Sequence, residues 1–183
     1  MRFKGENYMQ YSLLLSLCTL LYTAISIAER PKIAENDFFT ISVSCNGQRE
    51  CIYNGQSEIP VVVSLRNIYS KGFYISLGYI KKTEPSVKLT DRDNKKIMLL
   101  KPNIASWDLK KRIVYIPEGK NVEFTWALLD RDISPFINDG AVNVDADFKI
   151  RTKIYDIEEN EMGEFISLSK IIIKGSDFNE NKR

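Results

Sequence analysis

The stretch SCNGQRECIYNGQ (residues 44–56) leaves five residues between Cys45 and Cys51 and repeats Asn-Gly-Gln on either side of the second cysteine. Three chemistries compete for such a pair: a reactive thiol site, part of a metal site, or a covalent staple. A redox pair normally uses tighter C-x-x-C spacing and a helix terminus that lowers one thiol pKa, and neither is evident. A zinc site needs further soft ligands, yet the chain contains no histidine and Cys18 is the only other cysteine. The absence of histidine also removes every triad that uses imidazole as its base. Oxygen-donor side chains cluster at Asp91, Asp93 and Asn94, and carboxylates at Asp130 and Asp132 and at Glu158, Glu159 and Glu161. The first cluster, TDRDNKKI, has oxygen donors spaced like the start of an EF-hand loop. Lys96 and Pro102 stand where that loop requires glycine and glutamate, so a hairpin turn is the better reading. Carboxylate pairs for glycoside hydrolysis and Ser-Lys dyads exist on paper, but no spacing singles one out. We therefore expect a non-enzyme with no catalytic residues, no metal ligands and no cofactor.

The compartment decides the chemistry of the cysteines. Arg2 and Lys4 precede an uncharged, leucine-rich run from Tyr11 to Ala28 that ends in Ser26-Ile27-Ala28, with small residues where signal peptidase reads. Residues 1–28 are expected to be a cleaved signal peptide. The competing readings are an uncleaved anchor, since the run just reaches bilayer length, and acylation of Cys18, which Leu17 and the continuing apolar run argue against. Cleavage discards Cys18 and leaves Cys45 and Cys51 as an even pair in an oxidising compartment, periplasmic or secreted. A disulfide between them is expected, with a seven-residue loop contributing about 2 kcal/mol on the chain-entropy model.

Removing residues 1–28, which carry Arg2, Lys4 and Glu6, leaves 155 residues with 24 basic and 23 acidic side chains. This length suits one domain with a real core, expected over 29–175, followed by a flexible polar tail at 176–183. Near-neutral charge argues against nucleic acid and anionic lipid as partners. No second long apolar segment follows, so no membrane contact is expected after cleavage.

The elements that must position any site are strands. In VNVDADFKIRTKIY (142–155), Val142, Val144, Ala146, Phe148, Ile150, Thr152 and Ile154 share one face, and charged or amide residues occupy most of the other. Period-two alternation of this kind marks a strand with one face buried. Eight further segments are rich in β-branched and aromatic residues: 38–44, 59–68, 73–80, 87–91, 95–100, 112–116, 121–128 and 165–174. Turn chemistry at Asn54-Gly55, Ser70-Lys71-Gly72, 91–94, Pro117-Glu118-Gly119 and 158–163 separates them. With no convincing amphipathic helix between them, the pattern predicts an all-β, antiparallel immunoglobulin-like β-sandwich of about eight or nine strands.

Two loops carry apolar residues among charged ones. Trp107 lies in KPNIASWDLKKRI beside Lys110, Lys111 and Arg112. Its preferred reading is a cap on the end of the sandwich, and its alternative is an exposed anchor for a partner. SPFINDG (134–140) presents Pro135, Phe136 and Ile137 in an expected surface loop. Trp107, Lys110, Lys111, Arg112, Phe136 and Ile137 are thus the candidate partner-binding residues. The SLSKIIIK segment near the carboxyl end is a further place to look for a docking edge, although its Ile171–Ile173 run reads better as buried on both faces.

The succession VVVSLRN, VKLTDRDNKKI and IPEGKNVEFTW resembles the pattern of bacterial exported immunoglobulin-like domains, over roughly residues 59–128. The resemblance implies a Greek-key sandwich and leaves function open, because inhibitors, adhesion modules and accessory domains share the grammar. Chagasin-type protease inhibitors are similar sandwiches, but their Asn-Pro-Thr-Thr-Gly and Arg-Pro-Trp loops are missing here. Two functions follow as expectations. One is an exported protein-binding module, such as an inhibitor or immunity protein that blocks an enzyme with its loops. The other is a structural or carbohydrate-binding accessory of the envelope that docks by a sheet face or edge.

Overall fold

A computed structural model describes residues 36–55 and 58–175. The expected signal peptide and the polar tail both lie outside the described residues. Ten strands are present among the described residues: β1 (Phe39–Ser44), β2 (Glu50–Tyr53), β3 (Ile59–Asn67), β4 (Phe73–Ile75), β5 (Ser86–Asp91), β6 (Ile97–Leu100), β7 (Val114–Ile116), β8 (Asn121–Leu128), β9 (Asn143–Tyr155) and β10 (Glu161–Gly175). They form two sheets, one ordered β1-β3-β8 and the other β2-β10-β9-β4-β7, with β5 pairing both β9 and β6. The all-β sandwich is as expected, with one or two strands more than the alternation predicted. The larger sheet departs from the antiparallel expectation at one place, where β2 runs parallel to the end of β10.

Strand β9 organises the core. Its residues from Val144 to Ile154 alternate as foreseen, with Val144, Ala146, Phe148 and Ile154 fully buried. It pairs along its whole length with β10 and, on its other side, with β4 at one end and β5 at the other. From β8, Phe124 and Leu128 are buried, and Trp126 packs edge-on to Phe148 with ring centroids 5.8 Å apart. At the carboxyl end Ile171 and Ile173 are buried, while Ile172 faces outward and is half-buried.

Between β4 and β5 the predicted continuous strand 73–80 gives way to a helix, α1 (Leu77–Thr83). Phe73 and Ile75 alternate into the core as read, but the buried residues then become Leu77, Ile80 and Thr83. That three-residue spacing is helical. Leu77 belongs to both periods, and Gly78, a poor helix former, disguises the second.

The hand-over between sheets occurs at the cysteines. Strand β1 ends at Ser44, and Asn46-Gly47, both at positive φ, form a two-residue turn closed by paired Cys45 and Gln48 backbone bonds of 2.8 and 2.9 Å. The chain then enters the other sheet as β2. A disulfide joins Cys45 to Cys51 across this switch, with Cα atoms 5.4 Å apart and both cysteines buried. Beyond the switch, β1 is stitched to β10 through side chains: the backbone N–H groups of Ile41 and Val43 donate to the hydroxyls of Ser167 and Ser169 at 3.0 and 3.1 Å. The fully buried Asn67, last residue of the VVVSLRN segment, ties the sheets at another corner. Its amide donates to the carbonyls of Lys71, Ile116 and Pro117, and its oxygen accepts from the Tyr69 N–H.

Candidate functional site

The two apolar loops meet opposite fates. Leu129 leads into a short helix, α2 (Asp130–Ile133), continued by a 3₁₀ turn at Ser134–Phe136. This arrangement turns both Ile133 and Phe136 into the core, each fully buried. The expectation of Phe136 as an exposed contact is therefore corrected: three-residue helical spacing places it beneath the loop. The loop above it is knitted down, since Lys96 Nζ donates to the Pro135 carbonyl at 2.7 Å and Asn138 donates to the Asp91 carboxylate at 2.8 Å. Ile137 is 41% exposed and Pro135 is exposed as well, so Phe136 is the buried member of the apolar trio.

Asp91 confirms the hairpin-turn reading of TDRDNKKI. Its buried carboxylate accepts from the Asp93 and Asn94 N–H groups at 2.8 and 3.2 Å. Burial alone would raise its pKa, but these hydrogen bonds together with that from Asn138 outweigh it and hold the group below the usual carboxylate range.

Trp107 does the reverse of Phe136. It opens a 3₁₀ turn (Trp107–Lys111), with the Ser106 hydroxyl accepting from the Asp108 N–H, and it is 68% exposed rather than a cap on the sandwich. The ring is nonetheless held. Lys110 Nζ lies 4.2 Å from the Trp107 ring centroid and 4.7 Å from that of Tyr79 on α1, so one cation faces two aromatic faces. Such contacts contribute about 0.5–1 kcal/mol each at exposed sites. The Lys110 carbonyl accepts from the Ser76 hydroxyl at 2.5 Å, anchoring the turn to the residue before α1. Lys111 reaches only the exposed Asp108 at 3.4 Å, and Arg112 has no ion-pair partner among the described residues. Trp107, Lys110, Lys111 and Arg112 thus form one rim, while Phe136 and Ile137 belong to another part of the fold.

Sequence reading missed the surface that this rim adjoins. On the outer face of the larger sheet, Tyr74 of β4 stands directly opposite Tyr115 of β7 and Tyr155 of β9. The Tyr74 and Tyr115 rings are 5.1 Å apart and tilted by 53°. Trp107, Lys110, Lys153 and Tyr155 line one hollow of about 310 Å³, which joins the rim to this row. Tyr115 lies across Gly72, where a Cβ would collide with the ring, so the glycine makes room for it. The ion pairs Lys153–Glu161, at 2.6 Å, and Arg151–Glu164, at 3.8 Å, flank the row. The hydrogen bond from Lys153 to Glu161 raises the lysine pKa above its ordinary value. The available signal was a tyrosine at the outward parity of three separate strands.

Fold and site together define a disulfide-pinned, two-sheet β-sandwich with an aromatic, cation-edged outer face. No family model and no curated protein matches the chain. Among solved structures, a Bordetella pertussis protein described as ApaA is similar at 12% identity and a TM-score of 0.31, over 70% of this chain and 90% of that one. At that level the likeness carries no assignment.

Proposed function

We propose that the chain is an exported, non-enzymatic binding module that docks its partner on the outer face of the larger sheet, at the rim around Trp107. The observation that carries this reading is the state of Trp107: two-thirds exposed, yet fixed by Lys110 between two rings. A large aromatic ring held ready at the surface loses little freedom on binding. Export to an oxidising compartment is supported by the Cys45–Cys51 disulfide. A non-catalytic role is supported by the lack of histidine in the chain and by the ion pairs that occupy Glu161 and Glu164 beside the tyrosine row.

Of the two expected functions, the inhibitor or immunity reading loses an anchor to the burial of Phe136. The sheet-face reading gains Tyr74, Tyr115 and Tyr155. The test is capture from native envelope extract by immobilised wild-type and Trp107→Ala proteins, with bound protein and bound sugar both quantified. We expect the variant, with a native circular dichroism spectrum, to lose what the wild type retains. Equal retention by both proteins, or turnover of a peptide, glycan or lipid by the wild type, would overturn the proposal.

A further inference from the structure

We infer that the ligand of this face is an acidic polysaccharide, its pyranose rings laid along Tyr115, Tyr74 and Tyr155 and its anionic substituents read by Lys110. The inference rests on the sheet-face reading above and adds the ligand class.

The geometry is that of a track one ring wide. Tyr115, Tyr74 and Tyr155 occupy the same register on three neighbouring strands, and neighbouring strands lie about 4.8 Å apart. That step is close to the length of one pyranose unit, whose C–H faces pack against aromatic faces. The 53° tilt between Tyr74 and Tyr115 makes the track faceted, suited to a chain that turns between sugars. Trp107 continues the track across the hollow that it shares with Tyr155. Charged pairs border the row, Lys153–Glu161 and Arg151–Glu164. The apolar surface is therefore a narrow line, unlike the broad patch of about 800 Å² per partner in a typical protein interface.

Charge selects the acidic class. Among the described residues the Lys110 ammonium group has only aromatic contacts, which leaves its N–H donors open to an anion. Arg112 is exposed and has no carboxylate partner among the described residues. Lys110 and Lys111 line the hollow beside Trp107, with Glu159 its one acidic member, so a carboxylate or phosphate substituent at the Trp107 end would gain charge-assisted hydrogen bonds from Lys110.

Affinity gel electrophoresis of the protein tests this with four polymers: polygalacturonate, polysialate, neutral pullulan and polyglutamate. The expected result is retardation by at least one of the two acidic glycans, weaker retardation by pullulan and none by polyglutamate. Trp107→Ala and Tyr155→Ala should each weaken glycan binding at least tenfold, while Lys110→Gln should weaken it and flatten its salt dependence. Gly72→Ala, which displaces Tyr115 without removing an aromatic, should weaken binding more mildly. Retardation by polyglutamate equal to that by the glycans would reduce the face to a charge effect and overturn the inference. No retardation by any sugar polymer, or wild-type binding by Tyr155→Ala, would also overturn it. If envelope capture still depends on Trp107 and yields protein without sugar, the docking face stands and only the ligand class falls. If nothing depends on Trp107, both fall.

Discussion

Trp107 and Phe136 sit in segments of nearly the same character, each an aromatic residue among charged and turn-forming neighbours between strands. One is 68% exposed and the other fully buried. The difference arises from what each aromatic is spaced with. Ile133 and Phe136, three apart on successive short helical turns, aim at the core as a pair and join the buried cluster that also holds Leu128 and Phe148. Trp107 has no such partner. Its nearest apolar neighbour in the turn, Leu109, is half-buried, and its ring contact is with Lys110. An isolated aromatic stays at the surface, whereas an aromatic with a companion at helical spacing is drawn inward.

The sharpest way to break this contrast is Phe136→Ala. It removes a fully buried ring and should cost about 3–5 kcal/mol, read as a lower denaturation midpoint at unchanged m-value. A cost below about 1 kcal/mol, the range of ordinary surface changes and mild core trimming, would mean that Phe136 is no plug.

Reduction of Cys45–Cys51 should have the next largest effect, about 2 kcal/mol on the chain-entropy model, seen as a lower melting temperature in dithiothreitol. It bears on the same contrast because β2, two residues beyond Cys51, presents Tyr53. The Tyr53 hydroxyl donates to Asp130 at the start of the segment that carries Phe136. An unchanged melting temperature on reduction would show that the staple does not steady this anchor.

A smaller and pH-specific effect comes from Tyr53 itself. Burial, then the Asp130 carboxylate beside it, push its pKa from 10.0 up to about 12. The folded state therefore holds the phenolic proton more tightly than the unfolded chain does. Its contribution is complete below pH 10 and is lost as pH rises from 10 towards 12. The stability difference between wild type and Tyr53→Phe should be flat up to pH 10 and shrink above it. A difference that grows with pH would contradict the assigned partners. The smallest expected effect is that of Trp107→Ala on stability, about 0.5–1 kcal/mol for the loss of one exposed cation–π contact, measured in the same denaturant series as Phe136→Ala.

The parts of the fold that were legible in the sequence are those governed by local period or by composition. Strand β9 reads correctly because seven consecutive odd-even choices agree, and the disulfide because a small set of residue types left no alternative partner. The helix α1 was hidden by Leu77, which serves a period of two on one side and of three on the other. The burial of Phe136 was legible in principle through Ile133, but Pro135 and the charged flanks suggest a surface loop. The tyrosine row was illegible for a different reason. Its members come from β4, β7 and β9, and only the pairing of strands distant in sequence brings them together.

The parallel contact of β2 with β10 also has a mechanical meaning. Tension entering at Phe39 and leaving at Gly175 is shared between the bonds of β1 to β3 and β10 and a second path through the Cys45–Cys51 link and the four paired positions from Glu50↔Ile172 to Tyr53↔Gly175. Because these two strands run in the same direction, such a pull slides one along the other and loads their backbone bonds together, rather than peeling them apart singly. The same covalent link that closes the sheet switch thus keeps the slack of residues 46–50 out of the force path. A domain built this way resists unravelling from its amino-terminal side under traction.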